Sequence, residues 1–99
     1  MNNLSEIING TRPVLVDFFA TWCGPCKMQS SILAQLSEKI GDKVEIVKID
    51  VDKNRELALS YKVQSMPTLI LFHNGEIVWR KSGVQPLDSL LEIIHQLNH

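Results

Sequence analysis

The residues best suited to chemistry are two cysteines, Cys23 and Cys26, the only two in the chain. They stand where a strand-like run, Val14 to Ala20, gives way to a helix-like run, Lys27 to Ile40. A thiol at a helix N-terminus faces unpaired N–H groups and the positive end of the helix dipole. Both stabilise the thiolate, which is the form that attacks disulfides. The pair therefore predicts redox chemistry.

Other uses of such a pair fit the sequence less well. A zinc site normally needs four ligands, and the histidines lie far downstream without ligand spacing. Covalent haem attachment needs a histidine directly after the second cysteine, where this chain has Lys27. A purely structural disulfide across so short a loop would constrain the unfolded chain little. No metal is therefore expected, and a pair of buried, inert thiols remains the alternative.

The spacing also predicts how the two thiols differ. We expect Cys23 to be the helix N-cap, and an N-cap side chain accepts from the N–H two or three residues on. Pro25 has no N–H, so the donor left for the Cys23 sulfur is the Cys26 amide. Residues three apart share a helix face, so the two sulfurs can form a disulfide. We expect Cys23 to be exposed and to attack, and Cys26 to be shielded and to resolve.

Composition limits the class of protein. A chain of 99 residues predicts a single domain, residues 1–99. Its net charge of −1 gives no reason to expect nucleic acid as a partner, and it has no apolar run of the roughly 20 residues that a membrane span needs. The first residues, Met1 to Glu6, show neither a basic region nor an apolar run, so the predicted location is the cytoplasm.

Hydrophobic patterning predicts an α/β fold with a mixed sheet. Apolar stripes at helical spacing predict three helices: a short one that begins at Leu4, one from the cysteines to Ile40, and one that begins at Pro86. Asp52 or Asn54 could cap a further short helix. The Asn-Gly pair within His73–Glu76 predicts a tight hairpin turn. The predicted strands are Val14–Phe19, Val44–Ile49, Thr68–Phe72 and Ile77–Lys81.

The segment before Val14 has room for one element only. Leu4, Ile7 and Ile8 follow helical rather than alternating spacing, which predicts a short helix and no leading strand. The sheet should then have four strands, with Val44–Ile49 left at an edge.

Asp17 is the second residue that suggests function. It interrupts an apolar strand that should be central, so its carboxyl has no wet face to occupy. Desolvation should raise its pKa. The alternative is an Asp at a strand end that accepts hydrogen bonds from backbone N–H groups.

The segment Trp22–Lys27 resembles the active site of the thioredoxin family. The likeness continues through Val16–Phe18, Met66–Thr68, Phe72–Glu76 and Gly83. It implies the thioredoxin fold, a three-layer α/β/α arrangement around a mixed central sheet. It also implies that this protein is a thiol-disulfide oxidoreductase.

The resemblance assigns further roles to residues of this chain. It implies that Asp17 lies behind the resolving cysteine and moves its proton, and that Lys48 neighbours this Asp, although a surface lysine is an equal alternative. It implies that Pro67 is cis and packs against the cysteines. The backbone of Ser65 and Met66 should pair with an extended substrate segment.

The resemblance also implies an apolar rim around that substrate segment, which tolerates many substrate sequences, and it implies the family's partners. The resemblance implies a monomer without cofactor, which reduces disulfide-containing proteins and is itself reduced by a thioredoxin reductase. The expected rim residues are Trp22, Gly24, Pro25, Met66 and Gly83.

Three features depart from the family's usual pattern. Phe19 replaces a tryptophan. Ser30-Ser31 stands where a kinking proline is usual, so the kink in this helix should weaken. The chain is also short in front of Val14.

Two rival functions remain. An oxidant or isomerase of the same fold tends to carry a His between the cysteines, where this chain has Gly24-Pro25. A non-catalytic binding subunit would use only the apolar rim around Trp22 and Met66.

Overall fold

A computed structural model describes residues 4–97 of the chain. This part of the chain has four strands and four α-helices, and a short 3-10 turn, Gly41–Lys43, follows the second helix. In chain order the elements are α1 (Leu4–Ile8), β1 (Val14–Phe19), α2 (Gly24–Ile40), β2 (Glu45–Asp50), α3 (Arg55–Ser60), β3 (Thr68–His73), β4 (Glu76–Ser82) and α4 (Leu87–Gln96).

The strands form one mixed sheet in the order β2-β1-β3-β4. β1 is parallel to β2 and antiparallel to β3, and β3 pairs with β4 as a hairpin. β1 and β3 are central and buried along almost their whole length, which is why their sequences are apolar on both faces. The predicted mixed sheet is confirmed for the described residues.

Helices cover both faces of this sheet. Side chains alternate along a strand, so Leu15 and Val16 point to opposite faces. Leu15 packs in a core with Leu36 of α2 and Leu90 of α4. Val16 packs in a second core that also holds residues of α1 and, at its border, Leu57 of α3. The predicted three-layer α/β/α architecture is therefore confirmed.

Most local predictions hold to within a residue or two. The hairpin turn has positive φ at Asn74 (55°) and Gly75 (81°), as its sequence predicts. The prediction of a capping side chain on α3 is wrong. Asn54 occupies the N-cap position but makes no capping bond, and its Nδ2 donates instead to the Asp50 carbonyl at 3.0 Å.

The start of the described chain is helical, as predicted. Leu4 and Ile8 of α1 are buried against the sheet. Within residues 4–97, β2 pairs with β1 alone and is an edge strand. Met1 to Asn3 lie outside the described residues, so the part of this prediction that concerns them is not tested. None of the helices within residues 4–97 is long and apolar enough to cross a membrane.

Candidate active site

The two cysteines form a disulfide at the start of α2. Cys23 is the helix N-cap, and its sulfur accepts a hydrogen bond from the Cys26 N–H at 3.2 Å. Pro25 lies in the first turn, where its missing N–H removes no helical hydrogen bond. The predicted capping arrangement is confirmed. It provides a donor and a helix N-terminus to stabilise a Cys23 thiolate once the disulfide is reduced.

The expected contrast in exposure between the two cysteines is wrong. Only 6% of Cys23 and 4% of Cys26 is exposed, because both pack with Ala20 in a small cluster bordered by Phe19 and Met66. Position in the backbone distinguishes them instead. Cys23 lies outside the helix, whereas Cys26 lies within its first turn.

The Met66-Pro67 loop lies directly against the disulfide. The Met66–Pro67 peptide bond is cis, as the resemblance implied, and the Cys23 sulfur lies 3.6 Å from the Met66 carbonyl oxygen. Within residues 4–97 no hydrogen bond reaches the Met66 N–H. The Ser65 carbonyl, by contrast, accepts from the Thr68 hydroxyl at 2.6 Å. Met66 therefore has the backbone N–H with which an extended segment could pair.

The predicted rim residues Trp22, Gly24 and Pro25 are exposed around the disulfide. The Trp22 side chain is 69% exposed, yet its indole N–H donates to an Asp52 carboxylate oxygen at 2.9 Å. The sequence suggested Asp52 as a helix cap and did not connect it to Trp22. The bond restrains a large, mostly exposed apolar side chain at the residue that precedes Cys23.

Gly83 is linked to the rim through the Met66-Pro67 loop. Its φ is +86°, a conformation that side chains rarely adopt, and its N–H donates to the Pro67 carbonyl at 2.8 Å. The loop after β4 is thereby joined to the Met66-Pro67 loop. The structure thus brings both loops to the same place as the disulfide.

Asp17 is fully buried in the middle of β1. It shares a sheet face with Leu15, which is the face that α2 covers. Neither carboxylate oxygen has a hydrogen-bond partner within residues 4–97, so the strand-end alternative is wrong. Desolvation raises the pKa of Asp17 from its ordinary 3.8 to about 6, and the nearby Lys48 charge opposes part of that rise.

Lys48 pairs in register with Asp17 across β1 and β2. Its ammonium donates to the Ser30 hydroxyl and lies 5.1 Å from the centroid of the Phe19 ring. Lys48 thus acts on Asp17 through its charge and has its hydrogen bond elsewhere. Two of the departures noted in the sequence, Phe19 and Ser30, are the residues that hold this ammonium.

Two buried polar residues near the site were missed by the sequence reasoning. Gln29 and Thr68 are both fully buried, and both bond to loops at the rim. Polar residues at otherwise apolar positions of α2 and β3 were the available signal. Their partners lie in distant segments, so the signal did not identify what they bind.

No three His, Cys, Asp or Glu side chains within residues 4–97 lie close enough together to hold a metal ion.

Comparisons with known proteins agree with this geometry. The family model Thioredoxin matches residues 1–96. The thioredoxin of Bacillus subtilis is 48% identical over 83 residues, which are 84% of this chain and 80% of that protein. Thioredoxin Y, chloroplastic, of Oryza sativa is 47% identical over 83 residues, 84% of this chain but 49% of that longer protein.

A solved structure extends the likeness to three dimensions. The X-ray structure of Fasciola hepatica thioredoxin superposes with a TM-score of 0.85 at 40% identity, covering 95% of this chain and 90% of that one. With a matching family model, relatives of this similarity and a disulfide at the N-terminus of α2, the chain belongs to the thioredoxin family and is a thiol-disulfide oxidoreductase.

Proposed function

We propose that the protein reduces disulfides of other proteins by dithiol–disulfide exchange through Cys23 and Cys26. The observation that carries this proposal is the disulfide at the N-cap of α2 with the Met66 backbone beside it. This arrangement provides an activated thiol and, at the same place, an unpaired N–H that an extended substrate can use.

The proposed reaction proceeds in two steps. The Cys23 thiolate attacks one sulfur of the substrate disulfide, forms a mixed disulfide and releases the other substrate sulfur as a thiolate. Cys26 then loses its proton and attacks the Cys23 sulfur, which frees the second substrate sulfur. The substrate gains two electrons and, at neutral pH, two protons, and the Cys23–Cys26 disulfide is the oxidised product.

Asp17 is the proposed acceptor for the Cys26 proton. A carboxyl with a pKa of about 6 is largely ionised at pH 7, yet is basic enough to accept a proton for a moment. It has no hydrogen bond within residues 4–97 to compete for its oxygens. Lys48 moderates the pKa of Asp17 through its charge.

The substrate is proposed to lie as an extended segment along Ser65 and Met66. The Met66 N–H provides the backbone bond, and the apolar surface around it tolerates many sequences. The remaining rim residues in this proposal are Trp22, Gly24, Pro25, Pro67 and Gly83.

The proposed partner that restores the dithiol is a thioredoxin reductase, with the chain acting as a monomer in the cytoplasm. The reaction needs a source of electrons, and such a reductase supplies them. The rice relative is named chloroplastic, so subcellular fractionation would separate the two locations.

A coupled assay tests the proposal. With a thioredoxin reductase and its reductant supplied, the wild-type protein should reduce insulin. A Cys23→Ser, Cys26→Ser variant should not. Insulin reduction that survives the double substitution would contradict the proposal, and binding of partners without any reduction by the wild type would favour the binding-subunit alternative.

A further inference from the structure

Gln29 is a polar residue in an apolar position of the active-site helix. It lies three residues after Cys26 on α2 and is fully buried. A buried carboxamide is costly unless both its donor and its acceptor are bonded. The bonds that Gln29 makes therefore identify what this position does.

Both ends of the Gln29 amide bond to the backbone of one residue, Gln85. The Gln29 Nε2 donates to the Gln85 carbonyl at 3.2 Å, and the Gln85 N–H donates to the Gln29 Oε1 at 2.6 Å. Gln85 lies in the loop between β4 and α4, 56 residues away in the sequence. Gln29 thus pairs with this loop as a neighbouring strand would, with one bond in each direction.

Further hydrogen bonds link Gln85 to the substrate rim. Its side-chain Nε2 donates to the Gly83 carbonyl at 3.0 Å, and the Gly83 N–H donates to the Pro67 carbonyl at 2.8 Å. A continuous set of hydrogen bonds therefore runs from α2 through the loop at Gly83 to the Met66-Pro67 loop. Both loops are joined to the helix that carries the cysteines.

We propose that Gln29 is a positioning residue for protein substrates, which holds the Gly83 loop at a fixed distance from the cysteines. This inference rests on the proposed function, because it assumes that Gly83 belongs to the substrate rim. Gln29 makes no part of the sulfur chemistry. Its loss should weaken reaction with a substrate that contacts the rim and leave reaction with a small disulfide unchanged.

The test compares two disulfides with the pre-reduced protein. Gln29→Met keeps the side-chain volume and removes both hydrogen bonds to Gln85. We expect the second-order rate constant with insulin to fall by about tenfold, because misplaced binding groups cost this much or more. With 5,5′-dithiobis(2-nitrobenzoate), which is too small to span the rim, the rate constant should stay within about twofold.

Two further measurements separate positioning from simple destabilisation. The Gln85 amide should exchange with deuterium faster in Gln29→Met than in the wild type, because its acceptor has gone. Leu36→Val, a fully buried substitution on the same helix, is the control. It lowers stability without removing a hydrogen bond to the loop and should change neither rate constant.

Outcomes for the proposal differ from those for the proposed function. A wild type that fails to reduce insulin contradicts the proposed function itself. The positioning role is wrong if the wild type reduces insulin and Gln29→Met does so equally fast. It is also wrong if Gln29→Met lowers the rate constants with both disulfides by the same factor. Should Gln29→Met fail to fold, Gln85→Ala removes the side-chain bond to Gly83. About a threefold selective loss on insulin then supports the role, and an unchanged insulin rate overturns it.

Discussion

Two regions with buried polar groups flank the disulfide, and they are built in opposite ways. Beneath α2, Asp17 is fully buried with neither oxygen bonded within residues 4–97. Next to the rim, Gln29 and Thr68 are equally buried, and each bonds to the backbone of a rim loop, Gln29 to Gln85 and Thr68 to Ser65.

The difference follows from what each region does. Burial without a hydrogen bond raises the pKa of the Asp17 carboxyl and lowers the free energy of unfolding, and it leaves a group that can take and release a proton. An amide or hydroxyl that bonds to the backbone has no such freedom and fixes the shape of the backbone around it. The region of Asp17 beneath α2, the floor of the site, thus suits proton transfer, whereas the rim suits substrate recognition.

The largest expected effect comes from removing the sulfur that both regions serve. Cys23→Ser should abolish insulin reduction, and Cys26→Ser should stop the reaction at the mixed disulfide, because no thiol remains to resolve it. Mass spectrometry of the protein after incubation with substrate checks this. Adducts should form through Cys23 in the Cys26→Ser variant, whereas adducts through Cys26 in Cys23→Ser would reverse the two roles.

The next largest effect concerns the floor. The pKa of Asp17 is about 6 in the fold and 3.8 ordinarily, so the folded state binds the proton more tightly. Tighter proton binding favours the folded state, and this contribution is fully present below pH 3.8 and is lost as pH rises through 6. At pH 7 Asp17 is ionised in both states, and its burial then lowers the free energy of unfolding by about 3 kcal/mol.

Asp17→Ala should therefore raise the free energy of unfolding at pH 7 by up to that amount, and should slow release of the mixed disulfide. Chemical denaturation at pH 7 and pH 4 checks the first expectation, and the gain should shrink at pH 4. Asp17→Asn keeps the side-chain size and is the control for cavity formation. A variant that is less stable at pH 7 and resolves at the wild-type rate contradicts both roles of Asp17.

A smaller effect is expected at the rim. The Thr68 hydroxyl donates to the Ser65 carbonyl at 2.6 Å and lies 3.1 Å from the Ser82 hydroxyl. Thr68→Val keeps the shape and removes the hydroxyl, so the free energy of unfolding should fall by about 1–2 kcal/mol at every pH. Denaturation at pH 7 and pH 4 measures it. A loss of stability that varies with pH would contradict the view that Thr68, unlike Asp17, contributes through hydrogen bonds that do not titrate.

The smallest effect is expected from Lys48. Its charge opposes the rise in the Asp17 pKa, but its ammonium is exposed and bonds to Ser30. Lys48→Met should raise the pKa of Asp17 further above about 6, by less than about one unit because solvent screens the charge. Titration of the Asp17 carboxyl by NMR measures this. A fall in its pKa would show that Lys48 acts on Asp17 in some other way.

Prediction from sequence succeeded where the cause lies within a few residues. The hydrogen bond from the Cys26 N–H to the Cys23 sulfur follows from the missing N–H of Pro25, and the hairpin follows from Asn74 and Gly75. The raised pKa of Asp17 follows from the apolar residues on either side of it in a central strand. It failed for the exposure of Cys23, because Phe19 and Met66 cover the disulfide from other elements.

By itself, the sequence determined the redox pair, the order of strands and helices and the buried carboxyl, because helix capping, turn conformation and hydrophobic periodicity act over short stretches of chain. Only the tertiary structure decided which distant groups meet. Trp22 finds Asp52 30 residues away, and Gln29 finds Gln85 56 residues away. A buried amide such as that of Gln29 must bond to something, but packing of the whole fold selects its partner.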